Sequence, residues 1–240
     1  MFQSGIPFHE TGNFKSHRTF LPDDQYGIAL DNLVKGCTDI LLLSPPQTKP
    51  TKIFTGRRIV QPQPDWWFIG GRIFPGETPV QSAQRLLSRE LNLDISSSRF
   101  HPVCAQAFAF EMREQEPKHH GTTDVQFCLK VRLESDEEVR KVVLDEKEYG
   151  EWEWKEPREI LEGNFHPALK YAVGCFLAGE ALEELEECER RGGRDEEVAK
   201  LTREFLKKKR EVQEIGERGG SGYKLVSKEL GYETTVVTKF

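Results

Sequence analysis

A strand that ends in paired glycines and runs, through one short turn, into a strongly signalled helix constrains this chain more than any other feature. Residues 65–71 read Asp-Trp-Trp-Phe-Ile-Gly-Gly, an aromatic strand closing on Gly70 and Gly71. A helix start then follows Pro75-Gly76-Glu77. Thr78 is placed as N-cap, Pro79 suits the first helical position, and Gln81 stands three residues after the cap. Val80, Ala83, Leu87 and Leu91 recur at helical spacing, which predicts a helix over 79–91 with one apolar face to bury. The glycines let backbone approach a ligand closely, and the helix presents its polar flank beside them.

The flanking elements alternate. Residues 22–34 carry a helix start in Pro22-Asp23-Asp24, and Cys37 to Ser44 reads as a buried strand. A proline-rich loop leads to a second hairpin arm over 52–58. Strands are expected over 102–112, 124–133 and 151–157, with short helical sequence at 157–161 and a closing helix over 166–178. The predicted class is α/β, a mixed sheet between helices.

The 240 residues hold 34 Lys and Arg against 40 Asp and Glu, a net charge of -6. That balance argues against a non-specific grip on nucleic acid or an anionic membrane, which needs a basic surface. The longest apolar run near the start, residues 40–43, is too short to span a bilayer, and MFQSGIPFHE has no secretory pattern. Five scattered cysteines without C-x-x-C spacing read as reduced, partly buried thiols, so a cytoplasmic location is expected. Of the 63 residues from Ala178 onward, 28 are charged, a denser fraction than before it. This step sets the expected division into a domain at 1–178 and a charged helical extension at 179–240. Two helices around Gly192-Gly193 suggest a hairpin, with Asp195 as N-cap of the second, and the TTVV stretch is β-prone.

Gly71, Glu77, Arg85, Leu87, Glu90 and Leu93 fit the signature G-x5-E-x7-R-E-U-x-E-E-x-G-U, where U is apolar; Leu86, Arg89 and Asn92 depart from it. The segment therefore resembles the Nudix box, and the chain an α/β Nudix fold. The resemblance implies a hydrolase that uses Mg²⁺, with Mn²⁺ as the alternative ion, on a nucleoside diphosphate linked to another moiety. Box carboxylates belong at the positions of Leu86, Arg89 and Glu90, so one of three remains. Within the superfamily these departures look like GDP-mannose mannosyl hydrolases, which cleave nucleotide sugars at the anomeric carbon.

That narrower resemblance runs from about Leu21 to Ala178 and implies roles for particular residues. Asp39 matches a functional aspartate; Glu90 matches the surviving metal glutamate; Glu148 falls on the last ligand position. The implied metal set is Gly71, Glu90 and Glu148, and the implied catalytic set is Glu90, Glu148 and Asp39. Arg57, Arg58, Arg72 and Arg85 are expected at the substrate, although Glu77–Arg85 also reads as a loop-holding ion pair. Tyr149 stands where these enzymes carry a catalytic histidine, and a neutral tyrosine is a poor base. His119 and His120 are alternative bases, and Asp145, Glu146 and Glu148 alternative loop carboxylates for a pyrophosphohydrolase. Asp39, inside an apolar strand, needs a partner such as Arg58 or Arg72. Expected partners are a small-molecule nucleotide, a second copy of the chain in a homodimer, and a protein for the tail, with no nucleic acid and no membrane. The competing expectation is a catalytically impaired Nudix domain that binds a nucleotide or acts as a scaffold.

Overall fold

The computed structural model describes residues 6–144, 147–219, 223–228 and 231–236. Asp145 and Glu146, the alternative loop carboxylates, lie outside the described residues, as do Met1 to Gly5. The chain forms two compact units, residues 2–156 and 157–240. The mixed α/β class expected from the sequence is the one that forms.

In the first unit, α1 (Asp23–Asn32) precedes strand β1 (Lys35–Leu43), and β2 (Ile53–Arg58) returns antiparallel to it. The aromatic segment is not one strand. It divides into β3 (Trp66–Trp67), which pairs with β2, and β4 (Ile69–Arg72), which pairs with β1. Helix α2 (Pro79–Leu91) follows, then β5 (His101–Phe110), β6 (Thr122–Arg132), the short helix α3 (Asp136–Arg140) and β7 (Tyr149–Lys155). The strands run β3-β2-β1-β6-β5 across one seven-stranded sheet, with β4 beside β1 and β7 beside β2. The β1–β6 pair is parallel, with Lys35 opposite Asp124, Cys37 opposite Gln126 and Asp39 opposite Cys128.

Period-two alternation along β1 assigns its residues to two faces. Ile40 and Leu42 enter a core with Ile69, Leu129 and Val131, closed by Ala83, Leu86, Leu87 and Leu91 of α2. Lys35, Cys37 and Asp39 share the opposite face. The start of α2 is as read from the sequence: Thr78 Oγ1 accepts from Gln81 N at 3.1 Å and Gln81 Oε1 accepts from Thr78 N at 2.8 Å. Its end explains one departure from the box. Asn92, in place of glycine, takes the left-handed conformation at φ 54°, which asparagine tolerates better than most residues.

The second unit contains α4 (Pro157–Glu162), α5 (Pro167–Arg190) and α6 (Asp195–Gly219), followed by the antiparallel pair β8 (Tyr223–Lys228) and β9 (Gly231–Val236). The two helices expected on either side of residue 178 are one. Good helix formers continue through the step in charge, and the stop comes at Gly192, which has φ 73°. The expected division at Ala178 thus falls inside α5, while the compact units divide between Glu156 and Pro157. Helices α5 and α6 pack as a hairpin, where a Cβ on Gly174 would stand 3.0 Å from Val212 Cγ2. Arg194 caps α6, its carbonyl accepting from Val198 N at 3.0 Å; the expected cap, Asp195, is already the first helical residue. His166 Nδ1 accepts from Ala168 N at 3.1 Å and caps α5. Burial holds this imidazole down at about 4, so it stays neutral at physiological pH. Among the described residues no helix is long and apolar enough to cross a membrane.

Removing the cap on α2 is a direct test of its local stability. Thr78→Ala is expected to lower the stability of the first unit by about 1 kcal/mol, read as a shift of the urea midpoint.

Candidate functional site

A cavity of about 270 Å³ opens over the β1 face that carries Lys35, Cys37 and Asp39. Alternate residues of β6 complete its floor: Thr122, Asp124 and Gln126. Arg58, Arg72 and Arg89 reach its wall from β2, β4 and α2, with Trp67, Tyr26 and Phe110 as aromatic lining. Phe108 stacks on Phe110 at 5.4 Å with ring planes 3° apart, and Trp67 meets Phe108 edge-on at 5.9 Å. Cations thus converge on a partly aromatic, partly polar hollow.

Asp39 is the most unusual group on this wall. It is 3% exposed and its Oδ2 has no hydrogen-bond partner among the described residues. Burial pushes its carboxyl up to about 8, against the downward pull of the Arg58 charge and with a further push from Asp124. The arginine hydrogen bond expected for it is not made: Arg58 Nη2 donates to Gln61 O at 3.3 Å, and Arg72 stacks over Tyr26 at 4.9 Å. Gly70 opposite is required for this arrangement, because a Cβ there would stand 2.2 Å from Asp39 Oδ1. Three more buried atoms on the wall, Arg58 Nε, Thr122 Oγ1 and Gln126 Oε1, also have no hydrogen-bond partner. Buried polar groups are normally paired, so a cluster of unpaired ones around one cavity marks a place built for a ligand or for water. Asp124 is held differently, by Lys35 Nζ at 3.1 Å, and takes the Cys37 thiol at 3.8 Å. Burial and the neighbouring Asp124 push that thiol up, so it is not a nucleophile. All five cysteines are buried free thiols.

The glycine loop is clamped from outside the cavity. Arg85 Nε donates to Glu77 Oε1 at 2.6 Å and Arg85 Nη2 to Glu77 Oε2 at 2.8 Å; the same Nη2 reaches Arg72 O at 2.9 Å. Glu77 also accepts from Phe74 N at 2.9 Å. Burial raises its carboxyl, but Arg85, the Phe74 amide and Arg18 outweigh that and hold it below its ordinary value. The guanidinium groups of Arg18 and Arg85 each lie 3.6 Å from the Phe74 ring centre. Arg85 is therefore engaged in holding the loop, and Arg57 in an exposed pair with Glu151 at 2.5 Å; neither lines the cavity. Of the four expected arginines, Arg58 and Arg72 do.

The expected metal set is only partly assembled. Gly71 and Glu148 line the cavity, whereas Glu90 is 1% exposed and does not. Arg89 Nε donates to Glu90 Oε1 at 2.7 Å, and Arg89 Nη2 closes on the same oxygen. Leu86, at another carboxylate position of the signature, is fully buried in the core, its Cδ2 2.9 Å from where a Cβ on Gly71 would lie. Among the described residues no group of three His, Cys, Asp or Glu side chains is arranged to hold a metal ion. A divalent cation needs several oxygen ligands, and a carboxylate already bonded to a guanidinium is a poor one. In this arrangement Gly71, Glu90 and Glu148 do not fit such an ion.

The alternative bases are also placed. Tyr149 is 2% exposed, its hydroxyl donates to Phe68 O at 3.4 Å, and burial pushes it further up, so it remains a neutral packing residue. His120 pairs with Asp31 at 3.1 Å, and neither it nor His119 lines the cavity. Lys35, Thr122, Asp124, Gln126 and Arg113 were not among the sequence-derived candidates. Arg113 is 1% exposed and donates to Asp31 at 2.6 Å and to the Gln115 carbonyl at 3.0 Å, which ties the 111–121 loop to α1. The signal for the β6 residues was present as polar residues at alternate positions, Thr122, Asp124 and Gln126, in the first half of the strand.

Asp39 makes folding stability depend on pH. Below its unfolded value near 3.8 the carboxyl is protonated in both states; between there and about 8 unfolding releases its proton. Stability is therefore lost as pH rises through that window, by up to roughly 1.4 kcal/mol per pH unit for one proton. Asp39→Asn is expected to lose less stability than the wild type between pH 5 and pH 8 in urea titrations. An identical loss in both proteins would refute the assignment.

The NUDIX domain family profile matches residues 38–173. A search against curated proteins gave no match. Among solved structures, a C. elegans Ap4A hydrolase binary complex is 19% identical, covering 62% of this chain and 98% of that one, with a TM-score of 0.44. Shewanella oneidensis NrtR is 16% identical over 61% of this chain and 64% of its own, also at 0.44. The E. coli dihydroneopterin triphosphate pyrophosphohydrolase is 19% identical over 53% and 85%, at 0.38. The family match spans more than half of the sequence and contains the glycine loop, α2 and most of the cavity wall, and the chain belongs to the NUDIX domain family.

Proposed function

We propose that this chain hydrolyses a nucleoside diphosphate joined to a second moiety, and that its substrate is a nucleotide sugar of the GDP-mannose type. The observation that carries this reading is the convergence of Arg58, Arg72 and Arg89 with unpaired buried polar atoms around one cavity. Guanidinium groups match the oxygens of a diphosphate, and the aromatic lining from Trp67, Tyr26 and Phe110 gives the cavity an apolar side suited to a base. Acceptors such as Gln126 Oε1 and the Asp39 and Glu148 carboxyls suit the hydroxyls of a sugar.

In this reading a water oxygen bonds to the anomeric carbon while the bond from that carbon to the diphosphate oxygen breaks. The electron pair leaves with the nucleoside diphosphate, and the arginines stabilise its charge. Asp39 takes the proton from water. Its carboxyl near 8 makes it a stronger base than an ordinary aspartate, and only the ionised fraction is active. Nudix hydrolases generally use divalent cations such as Mg²⁺, but no step here passes through one, because Arg89 holds Glu90.

A second reading, a nucleotide-binding domain without turnover, is favoured by that same Arg89–Glu90 contact and by burial of Leu86. Incubation with a panel of GDP- and ADP-sugars, in Mg²⁺ and separately in EDTA, distinguishes the two. GDP and free sugar are the expected products. GMP with sugar phosphate would overturn attack at carbon, and GDP binding without turnover on any sugar would favour the binding domain. Arg58→Ala is expected to lower kcat/KM by about 10- to 100-fold, the value of one charge-assisted hydrogen bond. The rate is expected to rise as pH increases toward about 8 and then level, and a flat profile over pH 6–8 would remove Asp39 as the base.

A further inference from the structure

Residues 89 and 90 are neighbours on a helix, and consecutive side chains there project about 100° apart, so they do not normally meet. In α2 they do. Glu90 is 1% exposed, and Arg89, with half its side chain in solvent, folds back so that Nε lies 2.7 Å from Glu90 Oε1 and Nη2 closes on the same atom. A buried carboxylate needs compensation, and this fork supplies positive charge to it. The guanidinium also comes close to the glycine loop, with Nη2 3.9 Å from where a Cβ on Gly71 would stand, and Arg89 lines the cavity beside Gly71.

We infer that Arg89 is the built-in cation of this site, occupying at Glu90 the place where a Nudix box would hold a divalent metal ion. Arg89 is itself one of the departures from the signature, and the other at a carboxylate position, Leu86, is buried in the core. With Nε and Nη2 engaged by Glu90, Nη1 remains for a ligand oxygen. Together with Arg58 and Arg72 it gives the cavity three guanidinium groups, enough to hold a diphosphate without an added ion. A guanidinium carries one charge and cannot acidify a bound water as a metal does, so the site favours stabilising a leaving group over generating hydroxide. The inference rests on the family reading for the position of the metal, and not on the choice of substrate.

The test is a Mn²⁺ titration of the full chain, followed by the electron paramagnetic resonance signal of the free ion. Wild type is compared with Arg89→Ala, Arg89→Gln, Glu90→Gln and the Arg89→Gln/Glu90→Gln double variant. Removing the guanidinium is expected to tighten Mn²⁺ binding at least tenfold, and the double variant to lose that gain. Arg89→Gln keeps the side-chain length, so it serves if the alanine variant folds poorly. The inference is overturned if wild type already binds Mn²⁺ as tightly as the Arg89 variants through a site lost in Glu90→Gln, or if neither variant gains affinity. No nucleotide is present, so this result is independent of whether nucleotide sugars are turned over. In EDTA, wild type is further expected to bind GDP at least tenfold more tightly than Arg89→Gln; equal affinities would remove Arg89 from the phosphate.

Discussion

The ion pair between Glu77 and Arg85 is the constraint on which the site depends. It joins the end of the glycine loop to the second turn of α2, and through Arg85 Nη2 it also grips the Arg72 carbonyl. Phe74, between the guanidinium groups of Arg18 and Arg85, fills the space behind it. These contacts hold the loop that follows β4, whose pairing with β1 sets Gly70 against Asp39, and Gly71 lies against Leu86 and Arg89. The pair is about one-fifth to one-quarter exposed, where such pairs contribute modestly to stability; its value here is in positioning.

From that anchor the cavity follows by sheet geometry. The parallel pairing of β1 with β6 places Lys35 beside Asp124 and Cys37 beside Gln126, on the face opposite the apolar core. The same alternation that buries Ile40 and Leu42 directs Asp39 to the cavity side, where burial keeps its carboxyl protonated to unusually high pH. Charge is then balanced unevenly. Lys35 neutralises Asp124 and Arg89 neutralises Glu90, while Asp39 has the Arg58 charge nearby and an oxygen without a hydrogen bond. A site of this kind is ready for a ligand that brings both negative charge and hydrogen-bond donors.

Most of the fold could be read directly. The capping box at Thr78 and Gln81, the apolar stripe of α2 and the alternation of strands with helices are local signals, and local hydrogen bonds and burial produce them. The structure departs from the local signals where two of them meet. The aromatic strand split because β3 and β4 pair with different neighbours, and the tail helix ran through the charge step because charge density does not stop a helix. Of the arginines, Arg57 and Arg58 are adjacent on a strand, so one faces the cavity and the other faces Glu151. Their order could be settled only by register.

The sequence by itself determined the strand–loop–helix unit and the loss of two box carboxylates, because each is a matter of residue type at fixed spacing, while it left Arg85 with two expected roles, at the substrate and in an ion pair with Glu77. Only the tertiary structure decided what became of those losses. Leu86 went into the core, Arg89 turned back onto Glu90, and Asn92 adopted the conformation a glycine would have taken. It also brought Lys35 to the cavity beside Thr122, Asp124 and Gln126, some ninety positions further along the chain. The physical reason is that hydrogen bonds within a helix turn are written in spacing, whereas the field at a buried carboxylate is set by whichever charges the sheet pairing brings beside it.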